Sequence, residues 1–263
     1  MPHTFTFLGT CAADFSPKLQ GECANCFDDD VRRASCALFD ARFLIDCGPH
    51  ALDSLRIAGI APAVITDLFI THLHSDHFNT DNIRTLAAYK RPQPLRVWVS
   101  DRADCPDLGE AVIMRMPKYE TITVADGLTV TALDANHDQK AAPQHLLFAL
   151  EGKKILYACD GAWFINAAYD YLRSREKPAL SLFVVDATCG DYVGDWRLGE
   201  HNSVPMIRMM IPSLKNVGIV TEETKVYMSH LAPSLYKMPH AGIVERVQPD
   251  GLCVACDGLT IEV

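Results

Sequence analysis

Residues 70–79 read ITHLHSDHFN, which places His72, His74, Asp76 and His77 within six positions, directly behind an apolar run. Imidazole and carboxylate are the side chains that hold a divalent ion of hard or borderline character. Two histidines two apart on an extended segment can reach one ion, and an Asp-His pair opening the next turn points to a neighbouring position. A solvated polar loop is the alternative, but four ligand-type side chains so close behind a buried strand speak against it. The spacing predicts a metal site whose remaining ligands come from elsewhere in the chain.

The surrounding pattern sets this segment between a strand, VITDLFITH, and a helix, NTDNIRTLAAYK, with Asn79 or Thr80 as its N-cap. Upstream, HTFTFLGT alternates like a strand, SCALFD and RFLIDCG pair across Asp40-Ala41, and HALDSLRIAG has helical spacing that stops at Gly59. Downstream, LRVWVS, ETITV, LTVTALDA, HLLFALEG, KKILYACDG, LSLFVVDAT and TKVYMSH read as strands. WFINAAYDYLRS, SVPMIRMMIPSL and SLYKMPHAGIVERVQ read as helices, and LCVACDGLTIEV as a hairpin turning at Asp-Gly. Two blocks of strands with helices between and after them predict an α/β fold of two sheets packed face to face. No linker, repeat or low-complexity tract divides the chain, so a single domain over 1–263 is expected.

His-x-His-x-Asp-His resembles the signature of the metallo-β-lactamase superfamily. The resemblance implies a four-layer αββα sandwich of two mixed β-sheets with outer helices and a site at one edge. LDANHD, YACDG and YMSH put His137, Asp160 and His230 just after strands, in the order the resemblance requires. It implies one ion on His72, His74 and His137, a second on Asp76, His77 and His230, and Asp160 bridging the two. Asp46 in FLIDCG either supports the ligands from behind or is a turn residue before Gly48.

LGTCAADFSPKLQGECANC followed by RRASCALF, with DATCGD, GEHNSV and YMSHLAP later, resembles the phosphoribosyl cyclic phosphate phosphodiesterases. His201 in GEHNS matches the position where these enzymes and the ribonuclease Z group place a histidine near the leaving group; an exposed loop histidine is the alternative. Gly21 and Pro233 stand where the family has two ligands of a structural zinc. Cys23 and Cys26 are then half of a four-ligand site, and no structural zinc is expected unless Cys11 or another residue completes it. Cys253 and Cys256 read as core packing, because residues three apart on a strand face opposite sides. His3, His50, His145 and His240 have no motif support and read as structural or surface residues.

The resemblance implies a metal-dependent hydrolase, a phosphodiesterase for a small cyclic phosphate or nucleotide-like diester. Two divalent ions about 3.5–4 Å apart lower the pKa of bound water to about 7, giving a hydroxide that attacks phosphorus in line. Asp76 and Asp160 belong to this catalytic set, and His201 protonates the departing oxygen. Zinc or manganese suits the ligands, and iron is admitted. A carboxylic-ester, lactone or thioester hydrolase, or a non-catalytic or biosynthetic partner protein of the same fold, remains open. The formal net charge of −9 repels polyanions, which argues against nucleic acid but not against a small phosphorylated substrate. No apolar run is long enough to cross a bilayer and MPHTFTFLGT lacks signal-peptide features, so a cytoplasmic protein is expected, with a homodimer compatible. The ten cysteines are scattered, and most read as buried small hydrophobes in a reducing compartment.

Overall fold

A computed structural model describes residues 2–14, 27–125, 127–174 and 179–263. The chain divides into two compact units, Met1–Arg115 with Ala255–Val263, and Met116–Val254. Each holds one seven-stranded mixed sheet with its helices.

The first unit contains β1 (Thr4–Gly9), β2 (Cys36–Phe39), β3 (Phe43–Ile45), β4 (Asp67–Phe69), β5 (Arg96–Ser100), β6 (Val112–Met116) and β14 (Thr260–Glu262), in the order β14-β1-β2-β3-β4-β5-β6. Asp40 and Ala41 join β2 to β3 with φ of 47° and 55°, the two left-handed residues of a tight hairpin. From there β3, β4 and β5 run parallel, with α1 (Ala51–Ile57) in the β3–β4 crossover and α2 (Thr80–Ala87) in the next. Phe5, Phe7, Phe39, Phe43 and Phe69 are fully buried, each stabilising by roughly 1.5–3 kcal/mol. Asp67 is buried among them, and its desolvation is offset by Arg96, 2.8 Å away, and by the Trp98 indole N–H, which donates to it at 2.7 Å.

The second unit contains β7 (Thr121–Ala125), β8 (Leu128–Asp134), β9 (Gln144–Leu150), β10 (Lys153–Ala158), β11 (Leu182–Asp186), β12 (Lys225–Ser229) and β13 (Cys253–Val254), paired in sequence order. The pairs from β7 to β10 are antiparallel and those from β10 to β13 parallel. Strands β8, β10, β11 and β12 therefore point the same way. Helices α3 (Asn166–Ser174), α4 (Val204–Asn216) and α5 (His240–Val247) bury Leu172, Ile207, Met210 and Val247 in one core with Leu156, Phe183 and Val185 of the sheet.

Three expectations fail for physical reasons. LCVACDGLTIEV is not a hairpin: β13 pairs with β12, whereas β14 pairs with β1. Buried Asp257 draws the segment across, accepting from the Thr10 hydroxyl at 2.8 Å and the Arg33 amide at 2.7 Å. Cys253 is exposed and Cys256 half-buried rather than in the core, since β13 has a paired neighbour on one side only. The last helix begins at His240 and not near Ser234, because Pro239 disfavours helical backbone at the residue before it. β6 escaped sequence reading because VIMRM is an edge strand with one fully buried residue. Cys23 and Cys26 lie outside the described residues. Among the described residues, no helix is long and apolar enough to cross a membrane.

Candidate metal centre

In the first unit the candidate ligands follow the ends of two parallel strands, β3 and β4. Asp46 is fully buried directly after β3, and Thr71, His72, His74, Asp76 and His77 follow β4. Asp46 accepts from the Thr71 amide at 2.8 Å, from the Thr71 hydroxyl at 2.9 Å, and from His77 Nδ1 at 2.7 Å. The Thr71 hydroxyl has one proton, already given to Asp46, so at 3.1 Å it accepts from His72 Nδ1. Donor accounting thus assigns Nδ1–H to both His72 and His77 and leaves Nε2 of each with its lone pair. The rings crowd together, with centroids 4.6 Å apart for His72 and His74 and 4.3 Å for His72 and His77. The loop is held close to the β3 end: a side chain on Gly48 would overlap the Asp76 carbonyl. Asn79 starts α2, its side chain accepting from the Asn82 amide at 2.9 Å.

The second unit repeats this construction. His137, Asp160, Asp186 and His230 all follow the ends of the four like-directed strands, so segments distant in sequence meet at one sheet edge. Asp186, at the end of β11, is fully buried and accepts the Asn202 amide at 2.7 Å and the Thr188 hydroxyl at 2.7 Å. With its proton committed, the Thr188 oxygen accepts from His230 Nδ1 at 2.7 Å, and His230 keeps a bare Nε2 that lies 3.4 Å from Asp160. His137 Nδ1 points to the Glu200 carbonyl at 3.4 Å. His201 Nδ1 lies 2.9 Å from Asp160 and 3.3 Å from Asp186. Asp160, Asp186, His201 and His230 each offer one ligand-type atom within 4.8 Å of the others.

Charge follows from this packing. Burial pushes His201 down, but hydrogen bonds to Asp160 and Asp186 and their negative charge outweigh it and lift the imidazolium to about 11. Burial likewise pushes Asp186 up, and the hydrogen bonds from His201 and His230 reverse that to about 2. Beside Asp160, Gly161 has no room for a Cβ, which would lie 2.7 Å from Cε1 of buried His145. Burial, reinforced by the Lys118 charge, pushes His145 down to about 3 and so holds it neutral.

Asp46, Asp160 and His230 share a backbone feature: φ of 63°, 62° and 59°, left-handed values that cost a non-glycine residue on the order of 1 kcal/mol or more. Each sits at the point where a strand gives way to a ligand loop. Asp186, Thr71 and Thr188 were missed by sequence reading. The available signal was an Asp-x-Thr directly behind the apolar strand LFVVD, the same kind of position that identified His137, Asp160 and His230.

A family model described as Beta-lactamase superfamily domain matches residues 41–231, well over half of the chain. The chain belongs to the β-lactamase superfamily. The superfamily match takes in all seven expected ligands and His201. The structure of the metallo-β-lactamase fold protein YhfI from Bacillus subtilis superposes with a TM-score of 0.75 at 15% identity, covering 100% of both chains. A diphosphatase from the PhnP family superposes with a TM-score of 0.71 at 19% identity, covering 99% of this chain and 98% of the other. These likenesses establish the metallo-β-lactamase fold and nothing finer. Ribonuclease Z of Methanothermobacter thermautotrophicus is 38% identical over 58 residues, 21% of this chain and 19% of that protein. The chain therefore matches about a fifth of that relative's length. The buried His/Asp clusters here suit divalent ions.

Proposed function

We propose that the two half-sets form one dinuclear centre, with His72, His74 and His137 on one ion, Asp76, His77 and His230 on the second, and Asp160 shared. The observation that carries this reading is the matched pair of buried Asp–Thr anchors. Asp46 with Thr71, and Asp186 with Thr188, hold histidines by Nδ1 and so present Nε2 as the ligand atom. Such supports are what imidazole ligands need and what surface histidines lack. Zinc or manganese suits this mixture of nitrogen and carboxylate, and iron is compatible. Bound divalent ions would neutralise charge on a phosphoryl oxygen and acidify a water to a pKa of about 7.

The reaction is hydrolysis of a phosphodiester carried by a small phosphorylated molecule. Asp76 and Asp160 balance the charge of the centre, and His201 gives the leaving oxygen its proton from Nε2. Its Nδ1 is oriented by Asp160 and Asp186, which keeps the other nitrogen directed away from them. The anchored histidine favours a diester with a poor leaving group over a carbonyl substrate, since an alkoxide departs only as it gains a proton. The net charge of −9 supports a small substrate rather than a polyanion.

Elemental analysis of protein purified without chelator should approach two ions per chain, and Asp160→Ala should lose metal and nearly all turnover. A panel of cyclic phosphates, aryl phosphodiesters, lactones, thioesters and β-lactams should show diesters turned over fastest. Lactone or thioester turnover far above every diester would transfer the protein to the carbonyl-hydrolase reading.

A further inference from the structure

Trp196 is 82% exposed, and Val193, at 78%, shares its loop. Tryptophan rarely stands in water without a use, because its ring carries the largest apolar area of any side chain. This one opens a 3₁₀ turn, Trp196–Gly199, whose next residue but one is His201. The His201 amide donates to the Arg197 carbonyl at 2.8 Å, so the turn carrying the tryptophan also sets the backbone of the histidine. Five residues at a 3₁₀ rise of roughly 2 Å put the two side chains' backbones about 10 Å apart or less.

The loop is also fixed and electrically neutralised. Asp195 grips Arg197 through two contacts, 2.8 Å to Nε and 2.7 Å to Nη2, and caps the turn by accepting the Arg197 amide at 2.9 Å. At the loop's other end Asp191 lies 2.6 Å from Nε of Arg246, in α5. Both loop aspartates are thus matched by arginines, and an anion approaching His201 meets no uncompensated charge from them. A ring carried on a turn whose backbone is already fixed beside His201 can bind a planar partner without the cost of ordering a mobile loop.

We infer that Trp196 is a stacking platform for the aromatic base of a nucleotide-like diester, and so a specificity-determining residue of the site. This rests on the phosphodiesterase reading above and extends it to the leaving side of the substrate. Every nucleobase offers a π-face, so the platform selects for a base without selecting among bases.

The test uses the full-length protein loaded with zinc or manganese, with adenosine 2′,3′-cyclic phosphate and glycerol 1,2-cyclic phosphate as substrates. Trp196→Ala should raise KM for the adenosine diester, relative to the glycerol one, by roughly five- to a hundredfold, the range that stacking one base spans. Trp196→Tyr should restore most of that ratio. AMP should quench the tryptophan fluorescence of wild type but not that of Trp196→Ala, which keeps buried Trp98 and half-buried Trp163, whereas glycerol 3-phosphate should quench neither. An unchanged KM ratio in Trp196→Ala, or equal quenching by both phosphates, overturns the inference. So does a shift from dimer to monomer in Trp196→Ala with an unchanged ratio, which would assign the ring to contact with a second copy. If wild type hydrolyses neither diester, the phosphodiesterase reading fails, and AMP quenching that Trp196→Ala abolishes still decides whether the ring binds a base.

Discussion

Two acceptors decide which nitrogen of His230 faces outward, the Thr188 hydroxyl oxygen 2.7 Å from Nδ1 and the Asp186 carboxylate 3.2 Å from it. Thr188 spends its hydroxyl proton on Asp186 or the His230 carbonyl and can then only accept from His230 Nδ1. Thr188→Val keeps the shape, removes the nearer acceptor, and should weaken metal binding by about 10–100-fold, as loss of such supporting partners does. Competition with a chromophoric chelator would measure it, and Thr188→Ser should restore the affinity; a full-affinity valine variant would make the anchor irrelevant. His201 has a different signature. His201→Ala should slow an alkyl diester by about 10²–10⁴-fold while sparing a nitrophenyl diester, whose leaving group needs no proton. Equal loss on both would point to phosphate positioning. The candidate ligands stood out because histidine and aspartate at the spacing of residues 72–77 have few other uses. Asp186 and the two threonines were not, because their role lies in which atom accepts from which, and spacing carries no trace of that.

Strand direction explains why the candidate ligands gather within each unit. β8, β10, β11 and β12 end at one edge, and Asp46 and the 71–77 loop leave β3 and β4 likewise. Alternation and turn residues made nearly all these strands readable, down to the turn at Asp40-Ala41, both residues of which are left-handed. The last segment misled because Asp257 binds Thr10 and Arg33 far away in sequence, a preference no local pattern records. Two substitutions test the elements as supports. Asn79→Ala removes the α2 cap and should cost about 1 kcal/mol, seen as a lower unfolding midpoint in urea. Gly48→Ala should do more than destabilise, because the Asp76 carbonyl must move to admit the methyl. Metal content should fall with it, and a variant that binds metal normally would show the 74–77 loop to be more tolerant than its packing suggests.

For the molecule as a whole, metal bound at the proposed centre would act as a folding ligand. A group held by the native state alone adds stability by mass action, about 4 kcal/mol when present at a thousand times its dissociation constant. Dipicolinate should therefore lower the thermal midpoint of wild type, and do so far less for Asp160→Ala. The pairing of β14 with β1 has a separate outcome, in the order of assembly. Met116–Val254 is one continuous stretch, whereas the first unit is closed by strands from opposite ends of the sequence, Thr4 opposite Glu262. Joining them closes a very long loop, and contacts of such separation form late in folding. In pulse-labelled hydrogen exchange during refolding, amides within β10, β11 and β12 should gain protection first. The Phe7 amide, bonded to the Leu259 carbonyl, and the Val263 amide, bonded to that of His3, should follow. Simultaneous protection of both sets would mean that the terminal strands pair as soon as the chain collapses.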